Sequence, residues 1–367
     1  MEETQMKKSL KQKITIGITA AMLATPFGMN AAPQTAEAGF SVGSIIGGIA
    51  QGAIQTSKIN KMVHYINDTE EGRNEFFEAM QDKYGVNTDW ELNQRLDTIM
   101  ANMTTAIGSV DSTIYDKPYL YFINQDDSFN AFCTYGHVMS VNQGLFAVLD
   151  NDAEVAVVLG HEMGHGQKDH PAKGAKKSVF ASALATAADS WIGNLAATQL
   201  DSKGFSVPME KEADNLAFEY ITHSNYNPGA TAAVWQRVDE RFKTTALGAT
   251  FSDHSSNKKR RNNYEKKLEE YSGNHVSVTE EGVVQVNGQF FCTPAPSGSM
   301  SSHERAFFVQ GNLAAAYHNG HNTSDATVDG TTVMLGAQPV ITCTSGDEDA
   351  QTLCDRLNKI KDGKAKK

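Results

Sequence analysis

The stretch from Ala153 to His165 constrains this chain most, because an apolar run ends in two histidines that flank a glutamate. The residues before His161 are apolar almost all round, which is typical of a buried helix. His161 and His165 are four residues apart, so they share one helix face, one turn above each other. A metal ion would satisfy these buried polar groups. The pattern H-E-x-x-H therefore predicts two metal ligands, with Glu162 beside them to handle protons.

The start of this helix is also written in the sequence. Asn151 or Asp152 can cap it, and Glu154 follows Asn151 at the spacing of a capping box. The alternative to a metal site is a pair of solvated histidines at a helix end, because so short a motif also occurs by chance. A third ligand elsewhere in the chain separates the two interpretations.

A catalytic zinc site takes three protein ligands and leaves one position for water. Motifs with a third histidine place it six residues after the second, but Pro171 stands there and His170 misses the register by one. The third ligand is therefore expected on a second helix, where Glu210 is the candidate. Asp214 shares its face and predicts an outer hydrogen bond to a ligating histidine, whereas Glu212 points nearly the opposite way.

The segment from Glu210 to Asp214 reads E-K-E-A-D, and with H-E-x-x-H it resembles the HtpX-like zinc endopeptidases, relatives of the CAAX prenyl proteases. Further similar segments are Asn130–Phe132, Val141–Leu145 and Tyr226–Pro228. The resemblance covers roughly Lys58 to Tyr271. It implies peptide-bond hydrolysis at one zinc ion, with His161, His165 and Glu210 as ligands and Glu162 as the general base.

A later segment resembles another motif of that family, T-H-P with an arginine six residues after the histidine. Here the histidine is His254 and the arginine is Arg260, while Asp253 and Ser255 replace the threonine and the proline. The resemblance makes His254 a candidate to approach the open metal position or to stabilise an oxyanion; the alternative is a structural loop histidine. Arg260 is expected to form an ion pair.

The chain as a whole predicts an α+β fold. Residues 39–272 are expected to form a mainly helical zinc-metallopeptidase domain with a small active-site β-sheet, in which Tyr119–Phe122 and Val138–Val141 are strands. A strand just before the motif helix offers an unpaired edge, to which extended peptides bind. Residues 273–367 are expected to form a small C-terminal α+β module without an internal repeat.

Residues 1–38 predict a cleaved secretory signal, with lysines before the apolar run Ile14–Leu23 and small residues up to Ala38. That run is too short to span a bilayer. We therefore expect a periplasmic or extracellular location. Phe40–Thr56 and Lys176–Leu200 are apolar enough for peripheral membrane contact, although helices packed on the core are the favoured interpretation.

Charge and cysteine content limit the partners and the chemistry. The net charge of −11 argues against nucleic acid, whose phosphates require a basic surface. Export makes disulfides possible for the four cysteines, which can pair in three ways. A Cys343–Cys354 bond would close a local loop and leave Cys133 with Cys292.

Together these features favour an exported zinc metalloendopeptidase that acts on protein or peptide substrates such as misfolded or envelope proteins. The alternative is a chaperone-like or latent metal-binding protein with little proteolysis. Glu162 argues for the enzyme, because a pure binding protein has no need of that base.

Overall fold

The structure is a computed structural model that describes residues 63–173, 207–242 and 254–365. The predicted signal segment and the stretches Phe40–Thr56 and Lys176–Leu200 lie outside the described residues. The chain divides into two compact units. The first comprises Met1–Leu96, Thr113–Leu145 and Glu162–Ala213, and the second comprises Asp97–Ser112, Phe146–His161 and Asp214–Lys367.

Helices account for most of the regular structure in the described ranges, and each sheet there has three short strands. The helices are α1 Glu70–Tyr84, α2 Trp90–Val110, α3 Gln143–Val148, α4 Asp152–Gln167, α5 Val207–Thr222, α6 Ala230–Phe242, α7 His254–Tyr271, α8 Ser302–His318 and α9 Ala350–Ile360. The strands are β1 Leu120–Asn124, β2 Ala131–Thr134, β3 Val138–Asn142, β4 Val276–Val278, β5 Val284–Val286, β6 Gln289–Cys292, β7 Ala326–Asp329, β8 Thr332–Leu335 and β9 Gln338–Thr342. The predicted α+β class is confirmed. None of these helices combines the length and the apolar character needed to cross a bilayer.

The sheet of the first unit has the strand order β1-β3-β2. Strands β1 and β3 run parallel, and β2 pairs with β3 in the antiparallel direction. Both strands predicted from the sequence are present, as β1 and β3. The prediction that the later one offers the free edge is wrong, because β3 is central and β2 lies at the edge. The sheet packs on helix α1 through a buried apolar cluster consisting of Ile66, Phe76, Met80, Phe122 and Val138.

Helix α4 is enclosed on nearly all sides, as its composition predicts. Val155, Ala156, Val157 and Leu159 have no exposed surface. Gly160 brings the helix close to its neighbours in the second unit. A Cβ atom there would lie 2.9 Å from Cε of Met103 on α2 and 3.8 Å from Cα of Ala217 on α5.

A buried ion cluster holds the start of α4. Arg237 of α6 is only 1% exposed, and its Nε donates a hydrogen bond to Glu154 at 3.1 Å. Its Nη1 donates to Asp150 at 2.7 Å and to Ser299 at 3.1 Å. The carboxylate of Glu304 on α8 lies 2.6 Å from the guanidinium. Glu154 therefore serves this cluster, whereas the sequence pattern suggested a capping box.

The residues after Tyr271 contain the same order of elements twice, which the sequence analysis did not find. A three-stranded antiparallel sheet is followed by a helix with an N-terminal cap, first β4–β6 with α8 and then β7–β9 with α9. The caps are Ser301 and Asp349, so the predicted cap at Ser302 is wrong by one residue. Helix α8 packs against β4, β5 and β9, and helix α9 packs against β7, β8 and β6. Each helix thus covers two strands of its own half and the last strand of the other half.

The second half of the chain is joined to earlier segments through backbone contact. A Cβ atom on Gly311 of α8 would lie 2.0 Å from the backbone nitrogen of Gly229, just before α6. Asn227 in the same turn donates to the carbonyl of Phe308 at 2.9 Å and to Asn312 at 2.8 Å. Only glycine at position 311 permits this approach.

We expect Gly311→Ala to lower the free energy of unfolding by about 1–3 kcal/mol, because the added methyl group overlaps rigid backbone. Intrinsic helix propensity predicts the opposite sign, since alanine favours a helix interior over glycine by about 1 kcal/mol. Urea denaturation of the two proteins measures the difference, and a stabilised variant would contradict the contact.

The ion cluster predicts how stability depends on pH. Burial raises the pKa of Glu154 to about 8; Arg237 opposes this shift, while Glu304 and Asp150 reinforce it. The folded state therefore holds the proton more tightly than the unfolded chain, whose glutamates titrate near about 4.3. We expect the free energy of unfolding to fall as pH rises from about 5 to about 8. Glu154→Gln should flatten this slope in chemical denaturation, whereas Glu219→Gln on the exposed surface of α5 should leave it unchanged.

Candidate metal centre

Helices α4 and α5 bring together the three ligands that the sequence predicts. One ligand atom from each of His161, His165 and Glu210 lies within 4.8 Å of the others. In the described ranges this is the one group of three such side chains. Nε2 of His165 lies 3.5 Å from the Glu210 carboxylate. Both histidines are buried and Glu210 is partly exposed, so the group has one side toward solvent.

Asp214 holds the His161 ring from behind, as expected from its position one turn after Glu210. Nδ1 of His161 lies 3.0 Å from Oδ1 of Asp214. The same oxygen accepts hydrogen bonds from Nε of Arg260 and from the Tyr264 hydroxyl, each at 3.1 Å. Burial alone would raise the pKa of Asp214, but Arg260 and His161 hold it well below its usual range. Asp214 therefore stays ionised and accepts the Nδ1 proton of His161.

Arg260 forms the ion pair that was expected of it, with Asp214. Its guanidinium also lies over the Trp235 ring, 3.7 Å from the ring centre. This stacking fixes the arginine on α6, where a cation over an indole face is favourable. Nη2 of Arg260 also lies 3.0 Å from Nδ1 of His161. Both atoms carry protons when His161 donates to Asp214, so we assign the hydrogen bond to the carboxylate.

The outer contact of His165 is different and was missed in the sequence. Its Nδ1 lies 3.0 Å from Nδ1 of His170, whose Nε2 lies 3.2 Å from the carboxylate of Glu212. Helix periodicity cannot predict the first contact, because the two histidines are five positions apart. Helix α4 ends at Gln167, and Asp169 has a left-handed φ of 50° that turns His170 back toward the helix. The expectation that Glu212 points away from the site is wrong, because His170 reaches it.

The candidate base Glu162 lies against the edge strand. The backbone N–H of Cys133 on β2 donates to Oε2 of Glu162 at 3.1 Å. Cys133 is opposite Met139 of β3, yet its N–H turns away from that strand. The free edge of β2 is therefore next to the H-E-x-x-H motif in the first unit, although the sequence analysis did not predict β2.

The remaining predicted residues contribute less to this centre. His254 begins α7, but its side chain lies outside the described residues, so its role stays a prediction. All four cysteines are free, and Cys133, Cys292 and Cys354 are buried. Burial raises the pKa of the Cys133 thiol, which keeps it protonated beside Glu162. Neither of the disulfides considered from the sequence is present.

The donor set fits a divalent metal ion. Two imidazoles and one carboxylate, with solvent on one side, are the ligands of catalytic zinc sites in hydrolytic enzymes. The ring nitrogens that face away from the group have partners, Asp214 for His161 and His170 for His165. Such outer hydrogen bonds orient the rings of histidines that bind metals.

Comparison with known proteins agrees with this geometry. Residues 91–268 match Peptidase family M48, so this part of the chain is an M48 peptidase domain. The matched segment contains all of the predicted site residues.

Curated relatives carry metallopeptidase names. "Metalloprotease LoiP" of Escherichia coli (strain K12) is 27% identical over 168 residues, which is 43% of this chain and 66% of that protein. "Mitochondrial metalloendopeptidase OMA1" of Arabidopsis thaliana is 32% identical over 135 residues, 36% of this chain and 28% of that protein. "Beta-barrel assembly-enhancing protease" of Yersinia pestis is 25% identical over 168 residues, 41% of this chain and 34% of that protein. The chain thus spans between about a quarter and two thirds of the length of these three relatives.

We expect the purified chain to bind one zinc ion, and Glu210→Gln to weaken binding because the amide carries no charge. The dissociation constant can be measured by competition with a chromophoric chelator. Glu219→Gln is a matched control, since Glu219 is an exposed carboxylate on the same helix. Equal zinc affinity in Glu210→Gln and the wild type would contradict the assignment of Glu210 as a ligand.

Proposed function

We propose that this chain is an exported, zinc-dependent metalloendopeptidase that hydrolyses peptide bonds in misfolded or envelope proteins. The observation that carries the proposal is the convergence of His161, His165 and Glu210. The M48 match over residues 91–268 supports the same reaction class.

The proposed roles follow from the geometry. His161, His165 and Glu210 would hold the ion. Bound zinc supplies Lewis acidity, which lowers the pKa of water toward about 7 and polarises a carbonyl group. Glu162 would accept the proton of the attacking water and deliver it to the leaving amine. The Cys133 N–H at 3.1 Å would hold one oxygen of Glu162 in place during both transfers.

The edge of β2 supports a preference for extended substrates. Strand β2 pairs with β3 on one side only, and the outward N–H of Cys133 marks its other side. An unfolded segment can add to such an edge through backbone hydrogen bonds, whereas a folded protein presents few free strands. Unfolded or misfolded chains therefore fit this edge better than intact domains.

Export and the nature of the substrate rest on the sequence. The basic and apolar N-terminus supports passage across a membrane, and His254 is proposed as an additional group near the open metal position. One relative is named for β-barrel assembly. We extend that envelope context to this chain as part of the proposal.

The test compares digestion of an unfolded protein, such as casein, by the wild type and by Glu162→Gln. We expect kcat to fall by about 10²–10⁴-fold, the usual contribution of a general base. Zinc content should stay at one ion per chain in both proteins, because Glu162 is not among the ligands.

Glu219→Gln should retain full activity, since its carboxylate is exposed on α5. Equal residual activity in the wild type and Glu162→Gln would overturn the enzyme proposal. It would favour the chaperone-like or latent alternative, which binds metal and cleaves little.

A further inference from the structure

We propose that His170 and Glu212 are positioning residues that fix the ring of His165 for metal binding. The inference rests on the proposed function, because it assumes that His165 is a ligand. It adds a hydrogen-bonded chain from His165 through His170 to Glu212, beyond the predicted ligand set and the outer contact of Asp214.

Proton positions follow from the ring geometry. Nε2 of His165 is the nitrogen nearest Glu210, at 3.5 Å, and it must be unprotonated to bind an ion. The proton of neutral His165 is then on Nδ1, which lies 3.0 Å from Nδ1 of His170. His170 must accept there, so its own proton is on Nε2 and is donated to Glu212 at 3.2 Å.

Burial makes His170 the more important member of the pair. Its side chain is 2% exposed, whereas that of Glu212 is 50% exposed. Water can replace a partner at Glu212 but cannot easily reach the Nδ1 atoms of the two histidines. The rings meet edge to face, with centroids 5.0 Å apart and planes at 72°, which leaves His165 little freedom to turn.

The two histidines thus receive matched support from one helix. His161 donates directly to Asp214, and His165 donates through His170 to Glu212. Both carboxylates are on α5, together with Glu210. The extra ring is needed in the first unit because Glu212 itself is not within hydrogen-bond reach of His165 among the contacts of the described residues.

The experiment measures zinc dissociation constants of the purified full chain, using zinc alone and a competing chelator. His170→Phe removes the acceptor and should weaken binding by about 10–100-fold, the usual effect of losing such a partner. His170→Asn keeps an oxygen near the Nδ1 position and should retain most of the affinity. Glu212→Gln should weaken binding by less than about tenfold, and by nothing further when combined with His170→Phe.

The control is His275→Phe, which removes a histidine hydrogen bond to Asn287 far along the chain and keeps stacking on Tyr317. Its zinc affinity should equal that of the wild type. Circular dichroism of the metal-free proteins verifies that each variant folds; if His170→Phe does not, the comparison of His170→Asn with its Glu212→Gln double variant decides.

The outcomes separate the two claims. If the wild type binds no zinc, the proposed function fails. If the wild type binds zinc and folded His170→Phe binds it equally well, the proposed function stands and the positioning role of His170 is overturned. A Glu212→Gln effect that persists unchanged in both His170 backgrounds would also overturn the hydrogen-bonded chain.

Discussion

Enclosure of helix α4 is the constraint on which the site depends. Its apolar residues have no exposed surface, so the helix cannot turn or shift without opening the core. Gly160 removes the last side chain that would hold α4 away from α5. Two imidazoles on such a helix need strong partners, because an unsatisfied buried polar group costs about 1–3 kcal/mol. The metal-facing nitrogens and the outer hydrogen bonds together meet that requirement.

Charges reach the two ends of α4 in different ways. At the start, Arg237 gathers two buried carboxylates, Glu154 and Glu304, around one guanidinium. Near the other end, Asp214 accepts from His161 and stays ionised beside Arg260. The first cluster holds excess negative charge and keeps a proton, whereas Asp214 is matched by cations. Position and protonation are thus set by separate groups along one helix.

Local spacing gave the metal ligands before any coordinates, because His161 and His165 share a face and Glu210 stands beside Asp214. The misses have one physical cause, which is contact between segments that no short period connects. Glu154 has the spacing of a capping residue, yet its partner Arg237 is 83 positions away. His170 reaches His165 only through the left-handed turn at Asp169, and β2 is too short to show an alternating pattern.

The C-terminal residues bear on whether the chain is latent. A removable inhibitor needs a surface that can separate without exposing charge or core. Here Glu304 and Ser299 contribute to the buried cluster of Arg237, and Gly311 contacts Gly229 backbone to backbone. Removing these residues would leave a buried guanidinium with fewer partners, which is strongly destabilising. The geometry therefore favours a module that completes the fold around α4 and α6 over one that blocks the metal centre and is later released.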